Sequence, residues 1–217
     1  MEKFISVQNL FVAFFLFIAA LIGIRIIYSG NNDYLFLVWN LFLAWIPLAI
    51  SYGFTKLKDG NKWKQIAIFF CWLIFFPNAL YIVTDLMHLE LITDIPKWFD
   101  TILLFSASVL GLMMAFVSLL RLEKYLGSFI KKKQVEFLIP IILFMGSFGV
   151  YLGRFLRWNS WDIIRNPFGL LVTIMQRFIS PLSYTRTWGI TCMLTALFYL
   201  LYLSAKKLSG YIFVQAT

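Results

Sequence analysis

Six stretches of this chain contain no charged residue, and their lengths match the thickness of a lipid bilayer. They are residues 4–24, 34–55, 65–84, 101–120, 137–153 and 187–205. A hydrocarbon layer about 30 Å thick requires about 20 apolar residues in a helix that rises ~1.5 Å per residue. Charged residues make up only 13% of the chain, whereas soluble domains carry about 25%. The sequence therefore predicts an integral membrane protein.

The apolar stretches also decide the fold class. Only helices and closed barrels pair every backbone N–H and C=O group inside a bilayer. A barrel strand would show about ten residues of alternating polarity, whereas these stretches are continuously apolar. We predict an all-α, polytopic transmembrane helix bundle of six spans, with residues 1–217 as a single integral membrane domain. The first stretch is longer than the apolar region of a signal peptide and no small-residue cleavage site follows it, so we expect a retained span.

The basic residues predict the orientation of the spans. Residues 56–64 hold four Lys, residues 121–136 hold five Lys or Arg, and Lys206 and Lys207 follow the last span. Because positive loops stay in the cytoplasm, these loops and both termini are predicted to be cytoplasmic. The net charge of +9 then reflects topology and attraction to anionic lipid, and it does not indicate nucleic-acid binding.

A short amphipathic segment is predicted between spans five and six. Asn166 is a good N-cap residue and Pro167 suits the first helical position, so a helix is expected to begin there. Residues 167–179 are too few to cross the membrane, and Gln176 and Arg177 make the segment amphipathic. We predict one interfacial helix on the outer side of the membrane.

Polar residues recur at helical spacing after a proline in span three. Asn78, Tyr81, Asp85 and His88 follow Pro77 at intervals of 3, 4 and 3 residues. If the α-helix continues, these four side chains form one stripe. Polar groups at membrane depth are costly and usually mark function or a wet cavity. Asp100, in the first turn of span four, and Asn40, in span two, are expected to face the same region.

A second stripe begins at the end of span five. Tyr151, Arg154, Trp158 and Asp162 are spaced by 3, 4 and 4 residues, with Arg157 and Trp161 beside them. Asn159 or Ser160 is expected to cap a new helix that has Asp162 in its first turn. Both stripes lie at the predicted outer boundary, where they would form an outward-facing pocket.

Two simpler explanations stay open for these residues. Asp85 or Asp162 could pair with Arg154 or Arg157 and hold helix ends together. The outer arginines could also cover apolar surface with their stems and place their guanidinium groups among lipid phosphates. Against that, arginine has a planar donor fork that suits phosphate and carboxylate recognition.

The spacing of Asp85 and His88 allows two kinds of chemistry. A carboxylate one turn from an imidazole suits a general base with its orienting partner, or two ligands of a metal. The chain has one His, which argues against a zinc site. A divalent cation such as Mg²⁺ or Mn²⁺, bound by His88 with Asp85, Asp100 or Asp162, is possible. No other cofactor is evident.

Three motifs resemble a known family. They are the segment from Pro77-Asn78 to His88, the residues Trp39-Asn40 and Trp45-Ile-Pro47, and the run from Arg154 to Asp162. They are similar to a bacterial membrane family catalogued as domain of unknown function 1361. The resemblance covers the chain from about span two to span six and implies a multi-pass protein of the bacterial cytoplasmic membrane. It implies no catalytic residue.

These observations lead to a functional hypothesis with two alternatives. An outward-facing site would bind, and could act on, an anionic lipid or envelope precursor. Arg154 and Arg157 would hold the anion, with His88 as base, Asp85 as its orienting partner and Asp100 and Asp162 assisting. The remaining expected lining residues are Asn78, Tyr81, Tyr151, Trp158, Asn159 and Trp161. The alternatives are a transporter or proton-coupled carrier subunit, and a non-catalytic scaffold that docks another membrane subunit.

Overall fold

The computed structural model describes residues 7–56, 61–90 and 95–215, and the regular structure in these ranges is helical. The eight α-helices are α1 (Val7–Ser29), α2 (Phe36–Lys56), α3 (Lys62–Tyr81), α4 (Lys97–Leu126), α5 (Lys132–Leu156), α6 (Asp162–Arg165), α7 (Pro167–Ile179) and α8 (Thr185–Gln215). A 3₁₀ helix, Ile82–Glu90, continues α3, and a second one, Pro181–Tyr184, precedes α8.

The predicted fold class is confirmed. In the described part of the chain, six helices are long and apolar enough to cross a membrane. They correspond to the six uncharged stretches, although residues 4–6 of the first stretch lie outside the described residues. The fifth stretch lay at the lower length limit, but α5 has 25 residues because polar residues extend the helix at both ends.

The bundle is arranged around α4, the most enclosed of the spans. Helices α1, α2 and α3 pack against α4, α5 packs against α3, and α8 packs against α5. One face of α4 is lined by small buried residues, which allow neighbouring helices to approach closely. At Gly111, an added Cβ would lie 3.0 Å from the carbonyl oxygen of Ala79.

The loops lie at two opposite ends of the bundle. At one end, which we call the lysine end, α2 meets α4 through Ser51 and Arg121, and α4 meets α8 through Glu123 and Lys206. The other end, which we call the loop end, contains the 3₁₀ helix Ile82–Glu90, α6 and α7. The lysine-rich loops therefore share one end. Which end faces the cytoplasm stays a prediction.

The short segment before α8 forms the helix that the sequence predicts. Asn166 Oδ1 accepts a hydrogen bond of 3.0 Å from the backbone N–H of Gly169, and Pro167 occupies the first helical position. The helix α7 has the predicted bounds, 167–179. Its location at a membrane interface stays a prediction.

Helices α3 and α5 touch along a row of glycines. A Cβ added at Gly149 would lie 2.5 Å from Cγ of Pro77, and one added at Gly146 would lie 2.9 Å from Cδ1 of Leu80. Such distances leave no room for a methyl group, so side chains of α3 pack directly on the backbone of α5 here. In lipid, where apolar surface gains little from leaving the solvent, this kind of close packing holds helices together.

Replacing Gly149 by alanine should force α3 and α5 apart. We expect a loss of about 1–3 kcal/mol in the free energy of unfolding, the usual cost of overpacking a tight interface. Gly189→Ala in α8 is the matched control because its Cβ would meet no atom within 4 Å. Thermal unfolding in detergent measures both variants. Equal midpoints for the two would contradict the close contact.

Candidate functional site

The polar stripe of span three does not form one continuous face. The α-helix gives way to the 3₁₀ helix at Ile82, so the prediction of a single α-helical stripe is wrong. Asn78 and Tyr81 remain on α3, whereas Asp85 and His88 lie on the 3₁₀ helix. With three residues per turn, Asp85 and His88 share a face of that helix. The stripe is thereby divided between an α-helix and a 3₁₀ helix.

Contacts from other helices hold the 3₁₀ helix in place. Such helices rarely exceed 3–4 residues because their hydrogen-bond geometry is poor. Here Ser108 of α4 donates a hydrogen bond of 3.2 Å to the carbonyl of Ile82, and Arg154 of α5 donates to the carbonyl of Thr84. The tertiary structure thus supplies donors to carbonyl groups along this segment.

Arg154 makes five polar contacts at the loop end. Its Nε donates to Thr84 Oγ1 (3.0 Å), and its Nη1 contacts the Tyr81 hydroxyl and His88 Nε2 (both 3.2 Å). Its Nη2 donates to Asp85 Oδ1 (2.9 Å) and to the Thr84 carbonyl. A guanidinium group has five N–H donors, and five acceptors surround this one. The two polar stripes therefore converge, and Arg154 joins the end of α5 to the 3₁₀ helix.

The charge of Arg154 is neutralised within the protein. Asp85 is fully buried and forms an ion pair with Arg154. The second carboxylate oxygen of Asp85 accepts a hydrogen bond of 2.8 Å from Nδ2 of Asn40 in α2. This pair is the arrangement that the simpler explanation anticipated, an ion pair between helix ends. An anion at Arg154 would have to displace one of these acceptors.

His88 lies beside Arg154 in one defined hydrogen-bonding role. An arginine only donates hydrogen bonds, so His88 Nε2 is the acceptor in this contact and the ring proton is on Nδ1. The imidazole also packs on Phe36, with a distance of 4.8 Å between the ring centroids. To act as a base through Nε2, His88 would have to leave Arg154. Its catalytic role stays a prediction, as does orientation by Asp85, which instead accepts from Arg154 and Asn40.

Asp100 belongs to a second ion pair. It accepts hydrogen bonds from Arg25 Nε (2.9 Å) and Nη2 (3.3 Å), and both side chains are buried. The Arg25 guanidinium also lies 3.9 Å from the ring centre of Tyr34. Burial, and then the Asp100 carboxylate, raises the pKa of Tyr34 to about 12. This cluster ties α1 to α4, and the expected assistance of Asp100 at the site stays a prediction.

A cavity of about 260 Å³ lies at the loop end, between α2, α3, α5 and the segment 158–174. Five of the residues expected at the site line it: Asn78, Tyr81, Trp158, Asn159 and Trp161. Further lining residues that the sequence stripes did not include are Trp39, Asn40, Leu43, Ser160, Leu170 and Ile174. Arg154 and Asp85 do not line the cavity but lie behind its lining residues. Arg154 is hydrogen-bonded to Tyr81, and Asp85 is hydrogen-bonded to Asn40.

The second stripe changes direction after α5. The helix ends at Leu156, and Arg157 adopts a left-handed conformation with φ of 60°. Trp158 and Asp162 therefore do not continue the helical face of Arg154, and Asp162 lies in the first turn of a new helix, as predicted. The turn folds the next residues back over α3, where Asn78 Nδ2 donates a hydrogen bond of 3.0 Å to Ser160 Oγ.

Asp162 stabilises the segment after α5 through a local hydrogen bond. Its Oδ2 accepts a hydrogen bond of 2.7 Å from the backbone N–H of Asn159. The expectation that Asn159 or Ser160 caps this helix is wrong, because Trp161 occupies the N-cap position without a side-chain bond. Asp162 and Tyr151, which is buried and stacks on Phe155 at 5.2 Å, are absent from the cavity lining.

Arg157 is exposed at the rim of this segment. Its side chain makes no hydrogen bond or ion pair with any residue in the described ranges. A left-handed conformation costs a residue with a Cβ roughly 1–2 kcal/mol, and glycine would adopt it without strain. The local backbone therefore does not explain why an arginine stands at this position.

The expected divalent cation receives no support from clustered ligands. Within residues 7–56, 61–90 and 95–215, no group of three His, Cys, Asp or Glu side chains could hold a metal ion. The two acidic residues at the loop end with buried carboxylates, Asp85 and Asp100, are each engaged by an arginine. The cation remains a prediction from sequence.

Comparison with protein families matches most of the chain to one family. The profile of the family described as "Protein of unknown function (DUF1361)" matches residues 39–201. That range includes the cavity and the contacts of Arg154. No curated protein and no solved structure matches the chain.

Removing the guanidinium of Arg154 should destabilise the protein strongly. Arg154→Met would leave the Asp85 carboxylate buried without its cation, and we expect a loss of about 3–5 kcal/mol in the free energy of unfolding. The double variant Arg154→Met/Asp85→Asn should recover part of this loss because no charge stays buried. Thermal unfolding in detergent tests this, with Arg165→Met, at an exposed arginine, as control. Additive losses in the double variant would contradict the pairing.

Proposed function

Because the chain belongs to the DUF1361 family, whose function is unknown, we propose from the geometry of its loop end that it binds an anionic membrane lipid. The ligand would lie in the cavity between α2, α3, α5 and the segment 158–174, with an acidic group at Arg157. The observation that carries this proposal is that one part of the cavity lining is polar and the other part is aliphatic.

The two parts of the cavity lining differ in polarity. Towards the loop end it presents amide, hydroxyl and indole groups, from residues such as Asn78, Ser160 and Trp161. Farther along α2 and α3, away from the loop end, the lining is aliphatic, with Leu43, Leu73 and Ile74, and α7 adds Leu170 and Ile174. A polar compartment that continues into an apolar one matches an amphipathic molecule, whose headgroup and chain require these two environments. In this proposal such a molecule enters from the bilayer.

Arg157 is the arginine best placed to bind an acidic group. Arg154, by contrast, has acceptors for all five donors, among them the Asp85 carboxylate. Arg157 directly precedes the cavity-lining residue Trp158, is exposed, and is held in a strained conformation. Strain retained in a residue without a structural role is a reason to look for function there. Its fork of donors suits a phosphate or carboxylate.

In this proposal the network around Arg154 positions the walls of the cavity. Arg154 holds the Tyr81 hydroxyl, and Asp85 holds the Asn40 amide, so two lining side chains are fixed from behind. Buried charge is thereby kept out of the cavity, which the ligand enters without displacing an ion pair. Loss of Arg154 would deform the cavity through its supports.

A cavity-filling substitution tests lipid binding. Ile174→Trp should fill the apolar compartment, and native mass spectrometry of the detergent-purified protein should then show loss of the lipid that the wild type retains. Met175→Trp is the matched control because Met175 is exposed and does not line the cavity. If both variants retain as much lipid as the wild type, the cavity is not the binding site.

The role of Arg157 can be separated from folding. Arg157→Gly suits the left-handed backbone, so the free energy of unfolding should stay equal or rise by up to about 1 kcal/mol. The preference for phosphatidylglycerol over phosphatidylcholine should fall about tenfold, as expected for one lost charge-assisted hydrogen bond. Lys97→Gln removes an exposed charge at the same end and should leave the preference unchanged. An unchanged preference in Arg157→Gly would remove Arg157 from the site.

A further inference from the structure

We call the part of the cavity that is lined by amide, hydroxyl and indole groups the polar compartment. None of its described lining residues is charged, although ion pairs stand directly behind them. Moving a charge into such a site without a partner would be costly. The part of a ligand that occupies this compartment must therefore be neutral and must have hydrogen-bonding groups of its own.

The hydrogen bonds already formed leave both acceptors and donors for a ligand. Asn40 and Asn78 use their NH₂ groups on Asp85 and Ser160, and their carbonyl oxygens have no partner among the described residues. Tyr81 and Ser160 accept hydrogen bonds through their oxygens, and each keeps a hydroxyl hydrogen to donate. At least two acceptors and two donors therefore surround the compartment. Hydroxyl groups, which both donate and accept, complement this set.

Indole rings form the rest of the compartment. Trp39, Trp158 and Trp161 line it, and the rings of Trp39 and Trp161 lie 6.3 Å apart at an angle of 56°. Indoles provide large, flat, apolar faces together with an N–H donor. A ring whose faces are C–H groups and whose edge bears hydroxyls would place its faces on the indoles and its hydroxyls on the amides and Tyr81.

The volume of the cavity fits a ring of this kind. At about 260 Å³ it exceeds the ~150 Å³ cavity that holds benzene in an engineered protein. A six-membered ring with its hydroxyls therefore has room in the polar compartment.

Resting on the proposed lipid site, we infer that the ligand's headgroup contains a neutral, polyhydroxylated six-membered ring, as in a sugar or an inositol. The ring packs against the indoles of Trp39 and Trp161, which are in contact with each other, and its hydroxyls bind the free groups of Asn40, Asn78, Tyr81 and Ser160. The same ring chemistry could come from a lipid headgroup or from a soluble sugar.

The test compares two anionic lipids that differ in the ring. Wild-type protein in phosphatidylcholine nanodiscs is titrated with phosphatidylinositol and with phosphatidylglycerol, and binding is followed by native mass spectrometry. We expect about tenfold tighter binding of phosphatidylinositol, because the ring gains neutral hydrogen bonds and stacking. Equal binding of the two lipids would overturn the ring but leave the lipid site standing. Binding of neither would overturn both.

Tryptophan variants test whether the preference for phosphatidylinositol arises in the cavity. Trp161→Leu and Trp39→Leu should each abolish the preference for phosphatidylinositol while phosphatidylglycerol still binds. Trp98→Leu removes an exposed tryptophan of the loop end that does not line the cavity, and it should keep the preference. A preference that survives both cavity variants would overturn the inference.

Free myo-inositol, added without lipid, distinguishes the two sources of the ring. Displacement of phosphatidylinositol by the free ring supports the ring chemistry and assigns it to a soluble sugar. Retained phosphatidylinositol in the presence of free inositol supports a lipid headgroup.

Discussion

The loop end of this protein depends on the contacts of one arginine. Arg154 comes from the end of α5, yet its acceptors belong to α3 and to the 3₁₀ helix that follows it. Through Asp85 the same network reaches Asn40 in α2. In a membrane protein such a buried cation requires a counter-ion and a full set of acceptors, because unpaired charge and unpaired donors are both costly there. The requirement fixes three helices relative to one another.

This constraint explains how the cavity and the charges coexist. The close approach of α3 to the glycines of α5 brings Arg154 within reach of the 3₁₀ helix. The turn at Arg157 then returns the chain over α3, and the residues that follow close the cavity. The ion pair lies behind the wall and the neutral groups lie on its surface. A site of this kind is suited to binding an uncharged headgroup part, while an exposed arginine remains at its rim.

The buried acidic residues at the loop end form ion pairs between helices and do not line the cavity. Asp85 and Asp100 are both counter-ions of arginines from other helices, Arg154 and Arg25. Their primary effect is to connect helices. The residues that face the cavity are amides, hydroxyls and indoles. In the proposed site, recognition would therefore rest on neutral hydrogen bonding and stacking more than on the charges that are most conspicuous in the chain.

The sequence by itself determined the six spans, the bounds of α7 and the family resemblance, because span length, helix capping and apolar composition are local properties. It also brought Asp85, His88 and Arg154 together as one polar region. Only the tertiary structure decided that α3 changes to a 3₁₀ helix and that Arg25 is the partner of Asp100. It likewise decided that Ser160 and Trp39 complete the cavity wall. These outcomes depend on donors and acceptors supplied by distant helices, and helical spacing along one segment contains no information about them.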